Sequence, residues 1–231
     1  MSLSTNDSAV LQALFDAESS PSGVKVDSTL PSLPAHLNIS PQDHAVLQAQ
    51  EKHIITPLSS PNISPDTLKT AITALDVLID EHPTYPSAYA NRAQAVRMLL
   101  DSDPESESST EYLSSVLNDL EKAISLATPL SPTDAISPFQ GKLLADSHTH
   151  RGYLLLKISK QLKERGQKGV PESLIKIGAD RLEEISSQDF FLGGRYGNKV
   201  AQQMAVQTNP YAKMCGAIVK EAMRKEVESS F

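Results

Sequence analysis

Apolar residues at helical spacing, interrupted by short polar runs containing proline, divide the chain into a succession of helix pairs. Ser40 ahead of Pro41 is an N-cap signal, and Ala45, Val46, Ala49 and Ile54 carry an apolar stripe to about Thr56. Residues 57–64 (PLSSPNIS) form a loop. A second Ser-Pro pair, Ser64-Pro65, opens a helix with Leu68, Ala71, Ile72, Leu75, Leu78 and Ile79 inward, ended near Glu81 by Pro83. The next pair is predicted over 86–100 and 111–127, and a third over 142–163 and 172–196 after the turn RGQKGVP. No run of Val, Ile and Thr alternates with polar residues between turns, so the expected fold is all-α.

The ends differ from this body. Residues 1–40 are rich in Ser, Pro and Asp and are expected to be a mostly flexible tail. A short helix near 8–16, capped by Asp7 or Ser8, presents Val10, Leu11, Leu14 and Phe15 on one side. A helix that short needs something to lie against, either the body or a partner. Residues 198–231 are expected to be C-terminal capping helices. Asn209 before Pro210 is a helix start, and Met214, Ile218, Val219 and Ala222 supply the face that packs.

Spacing within the body matches a helical repeat. A tetratricopeptide repeat has a small residue where its two helices cross, flanked by larger apolar positions, and a Pro near its end. Tyr89, Ala93 and Val96 fit the first helix of a unit, and Val116, Leu120 and Ala123, with Pro129 beyond, fit the second. The preceding unit offers Ala71, Leu75 and Leu78 followed by Pro83, and the later one offers His148, Arg151, Gly152 and Leu155, then Ser186, Phe190 and Gly193. The expected architecture is a short tetratricopeptide-repeat helical solenoid of about three repeats, at 41–83, 86–129 and 142–197.

Four blocks carry a family resemblance. They are Asn6-Asp7 with Ala9 to Ala13 and Phe15; Ser87-Ala88-Tyr89 with Asn91 to Ala95; Asp119 to Ala123; and Asn209 to Ala212 with Cys215. With them the chain resembles the tetratricopeptide repeat protein 36 family of small three-repeat proteins. The acidic stretch DSDPESESSTE at 101–111, the loop at 57–64 and the long third unit depart from that pattern. The resemblance implies a non-enzymatic scaffold or adaptor, linked to heat-shock chaperones and to maintaining a metabolic enzyme of tyrosine breakdown.

Repeat proteins bind along the face made by the first helices of successive units. Counting from Ala93 places Asn91, Gln94 and Met98 there, and counting from Gly152 places His150, Tyr153 and Lys157. These six are the candidate partner-binding residues. The chaperone-tail clamp known in such repeats needs basic residues around an Asn. Asn91 matches, but Asp146 and His150, and Val46 and Gln50, stand where the bases belong. A chaperone-associated adaptor is therefore the first alternative, by some other surface.

Composition narrows the partner class. A net charge of −7 over 231 residues, without a basic stripe, argues against nucleic acid. One cysteine, Cys215, supports neither a disulfide framework nor a thiolate cluster. The start lacks a signal-peptide pattern and no run is long enough to span a membrane, so a cytoplasmic protein, with the nucleus as the other option, is expected. Asp146, His148 and His150 invite a metal reading. Helical residues two apart diverge by about 200°, however, so the two histidines point to different sides. With no HExxH, phosphate loop or GxSxG, a small hydrolase or metal enzyme is the weaker alternative, and no catalytic residue, metal or cofactor is expected.

Overall fold

The computed structural model describes residues 24–103 and 108–209. These residues are all-α: α1 (Pro41–Ile55), α2 (Pro65–Glu81), α3 (Pro86–Ser102), α4 (Ser109–Ala127), α5 (Pro138–Glu164), α6 (Glu172–Ile177), α7 (Ala179–Arg195) and α8 (Lys199–Thr208). Short 3-10 turns occupy Ala35–Leu37 and Thr56–Ser59. Among the described residues no helix is long and apolar enough to cross a membrane.

Three helices begin by one device. The hydroxyls of Ser40, Ser64 and Ser137 accept from the amides of Asp43, Thr67 and Gln140 at 3.1, 3.1 and 3.0 Å. Each serine precedes a proline at the first helical position, where its missing N–H has no intrahelical partner to lose. The third of these corrects the expected start of α5, which lies at Pro138 and not at 142. The helix expected over 172–196 is also two helices. Gly178 between them sits at φ +86°, ψ 152°, a backbone conformation that a side chain disfavours.

The long helices pack in order along the chain: α2 on α3, α3 on α4, α4 on α5, α5 on α7 and α7 on α8, with α3 also touching α5. The core is correspondingly a chain of clusters. Leu47, Leu75, Leu78, Tyr85 and Tyr89 join α1, α2 and the start of α3. Ala93, Val96, Val116, Leu120 and Leu154 join α3, α4 and α5. Leu113, Leu155, Ile158 and Leu182 continue into α7, and Leu156, Phe190 and Ala201 reach α8.

Small residues let helices approach. A Cβ at Gly152 would lie 3.2 Å from both Asp189 Cβ and Ser186 O, and the Ser186 hydroxyl donates to Gly152 O at 2.7 Å. Ala93, fully buried, occupies the equivalent place in α3.

The N-terminal expectation is corrected for residues 24–40, which are packed. Asp27 N donates to Ile136 O at 2.8 Å and Ile136 N to Lys25 O at 2.9 Å, so the segment pairs with the loop before α5. Ser137 Oγ donates to Ser32 O at 2.7 Å, and Leu33 and Leu37 enter the first core cluster. The segment is held by two apolar anchors and backbone pairing, neither of which its Ser/Pro composition reveals. The helix expected near 8–16, and the capping segment from Pro210 with Cys215, lie outside the described residues.

Candidate functional site

The first helices of successive pairs, α1, α3 and α5, share one face, and a buried carboxylate ties two of them together. Glu51 of α1 is 5% exposed. Its Oε2 accepts from Tyr85 Oη at 2.7 Å and Ser87 Oγ at 2.9 Å, and its Oε1 accepts from Asn91 Nδ2 at 2.8 Å. Three donors offset the cost of burying the carboxylate. Burial, reinforced by the Glu51 charge, pushes the Tyr85 phenol far above its ordinary value. Asn91 is consequently oriented. Its amide nitrogen faces Glu51 and, more loosely, Ser87 at 3.5 Å, leaving its carbonyl oxygen as the group it can offer.

Asn91 stands between two grooves. One, of about 610 Å³, runs between α1 and α3 past Ala45, Gln48, Ala49 and Lys52. The other, of about 470 Å³, lies between α3 and α5. Its walls are Asn91 and Gln94 from α3 and Ser147 and His150 from α5, over Ala90, Leu120, Phe139 and Leu143. Lys142 and Asp146 at the rim pair with each other at 2.6 Å. Ser147 Oγ and His150 Nε2 are buried and make no hydrogen bond within the protein. Burial pushes the His150 imidazole down to about 4, with Arg97 adding to this and Asp101 opposing it, so the ring is neutral near pH 7.

Three of the six sequence candidates, Asn91, Gln94 and His150, thus meet in one groove. Met98 is half-buried one turn beyond Gln94. Tyr153, 52% exposed, and Lys157 continue along α5 outside the groove lining, and Lys157 Nζ lies 3.6 Å from Asp101 Oδ1. Sequence reasoning passed over Glu51, Ser147 and Phe139. The one-turn step from Ser147 to His150 was the available signal for Ser147. Glu51, inside the polar run QAQEKH, had none.

His148, two residues before His150, faces the other way. It is buried, and its Nδ1 lies 2.8 Å from Asp189 Oδ1 on α7. Arg151 Nε and Nη2 donate to Asp189 Oδ2 and Oδ1, each at 2.8 Å. An equivalent pair occurs one unit earlier, where Arg92 Nε and Nη2 meet Asp119 Oδ2 and Oδ1 at 2.9 and 2.6 Å. The sequences Asn91-Arg92-Ala93 and His150-Arg151-Gly152 therefore place equivalent arginines against Asp119-Leu120 and Asp189-Phe190. The two carboxylates shift oppositely. Burial, with the negative charge of Asp76 added, raises Asp119 against the opposing bond and charge of Arg92. Burial also acts to raise Asp189, but the bonds and charge of His148 and Arg151 together outweigh it and hold the group below its ordinary value. Among the described residues no three His, Cys, Asp or Glu side chains are grouped as metal ligands.

Sequence comparison places this geometry beside known proteins. The chain is 58% identical over 241 aligned positions, covering 98% of it and 94% of the relative, to the L-tyrosine degradation gene cluster protein hmgX of Aspergillus fumigatus. It is 29% identical, over 96% of its length and 94% of the relative, to tetratricopeptide repeat protein 36 of Danio rerio. No family model matches the chain, and no solved structure matches it.

Proposed function

The chain belongs to the family of the L-tyrosine degradation gene cluster protein hmgX, and from that premise we propose that it is a non-enzymatic tetratricopeptide-repeat scaffold serving tyrosine degradation. It holds a protein of that process along the face formed by α1, α3 and α5. The observation that carries the reading is the alternation of helices. Every second long helix contributes to one face, and equivalent Arg–Asp pairs at Arg92–Asp119 and Arg151–Asp189 tie the two helices within each of two successive units behind it. Stacked helix pairs of this kind bind with the surface their first helices line. The described residues of this face offer hydrogen-bonding side chains and shallow apolar floors, which suit a protein surface.

The test is capture. Wild-type protein and a Gln94→Ala/Tyr153→Ala variant of unchanged helicity are immobilised in extract from cells grown on tyrosine. A tyrosine-degrading enzyme retained by the wild type and lost from the variant supports the scaffold. Equal retention by both overturns the assignment of this face. Turnover of a tyrosine-pathway metabolite by the purified chain overturns the non-enzymatic reading.

A further inference from the structure

The groove between α3 and α5 carries unfulfilled hydrogen-bonding chemistry in its wall. Ser147, 2% exposed, and His150 lie one helical turn apart on α5, and Ser147 Oγ and His150 Nε2 are both buried with no partner in the protein. A buried polar atom left unpaired is costly, so a solvent molecule or a ligand's polar group belongs there. The floor beneath is apolar, with Phe139, Leu143, Ala90 and Leu120. The rim charges cancel, because Lys142 and Asp146 bind each other. The Asn91 carbonyl completes the polar side as an acceptor.

We propose that this groove receives an aromatic hydroxyl side chain, a tyrosine presented by the bound protein partner, with its ring on the Phe139–Leu143 floor and its hydroxyl at Ser147 and His150. The inference rests on the scaffold reading and names what one groove of that face recognises. A hydroxyl fits because one oxygen both donates and accepts, and so satisfies Nε2 in either imidazole tautomer while also bonding Ser147. A phenylalanine ring fills the same floor but displaces solvent from the two polar atoms without replacing its bonds, which loses affinity. A lysine or arginine would bring an unpaired cation to a rim whose charges are already matched. A tyrosine joins a large apolar area to one polar tip, which is what the cavity pairs.

Ring C–H resonances of His150, assigned with a His150→Gln variant, report occupancy in titrations of the full chain. The probes are N-acetyl-L-tyrosinamide, N-acetyl-L-phenylalaninamide, N-acetyl-L-glutaminamide and free L-tyrosine. The expected result is that the tyrosinamide moves the His150 signals with about 5- to 30-fold higher affinity than the phenylalaninamide, the worth of one to two hydrogen bonds. Ser147→Ala, which removes one of the two groups that meet the hydroxyl and only a buried unpaired hydroxyl of the fold, should reduce that difference, with the remainder resting on His150. Equal binding of the two aromatic probes, or a preference left undiminished by Ser147→Ala, overturns the hydroxyl assignment. Stronger binding of glutaminamide makes the occupant an amide, and stronger binding of free tyrosine makes the groove a metabolite site; either overturns the proposal. If no probe moves His150 while an enzyme is still captured through Gln94 and Tyr153, the proposal falls and the scaffold stands.

Discussion

Arg151 and Asp189 meet in a two-pronged pair, Nε to Oδ2 and Nη2 to Oδ1, each at 2.8 Å, beside Gly152, where α5 and α7 approach closely. Their counterparts Arg92 and Asp119 make the same pair between α3 and α4. The surroundings separate them. Asp189 is also bonded by buried His148, whereas Arg92 has a second carboxylate, Asp76, at 2.7 Å.

Removing the two carboxylates should therefore cost unequally. Asp189→Ala leaves Arg151 and His148 without their acceptor and should destabilise the chain by about 3–5 kcal/mol. Asp119→Ala leaves Arg92 its bond to Asp76 and should cost about 1–3 kcal/mol. Urea unfolding midpoints of the two variants check this. Equal losses would mean that His148 and Asp76 do not matter.

The bridge between α1 and α3 makes a graded prediction. Glu51→Ala strands three donors and should cost about 2–4 kcal/mol, while Tyr85→Phe removes one donor and should cost about 1 kcal/mol. Thermal melts rank them. The Glu51 change should also release the Asn91 side chain, visible as a shift of its amide resonances.

Acid should weaken the fold through His150. Its folded pKa, about 4, lies below the ordinary 6.5, so between these values the unfolded chain binds the extra proton. Stability is thus complete above about pH 6.5 and declines as pH falls toward about 4. His44, also lowered by burial, acts in the same direction. A His150→Asn variant should match the wild-type pH dependence near neutrality and lose less stability than wild type, by on the order of 1–2 kcal/mol, near pH 4.5. Melting temperatures across that range measure it.

The packed segment before α1 should behave as core. Leu33→Ala and Leu37→Ala should each cost about 2–4 kcal/mol, the range for buried leucines that leave a cavity. Changes within about 0.5 kcal/mol, typical of surface positions, would mean that residues 24–40 are only draped on the body.

Much of the helical layout was legible because its signals are local. Ser40-Pro41 and Ser64-Pro65 announce helix starts through one hydroxyl and one missing N–H, and the apolar stripe of α2 names its buried face without a partner. Ala93 and Gly152 were readable as crossing points because only small residues suit a close approach. Asn91, Gln94 and His150 fell on one face by counting from those points. Ser137-Pro138 carried the same start signal as the others, but the Pro-rich loop before it hid its meaning. The break at Gly178 was obscured because periodicity continues across it.

The sequence by itself determined that the chain is a succession of helices with small residues at crossings, since capping, proline geometry and apolar period act within a few residues of one another. Tertiary structure alone decided that Glu51 is a buried hub and not a surface charge, because its donors come from residues 34 to 40 positions away. It also decided that Leu33 and Leu37 are anchored, and that Ser147 and His150 line a groove with their polar atoms unpaired. Burial and pairing are properties of what packs opposite, and a residue's own neighbours in the chain do not specify that.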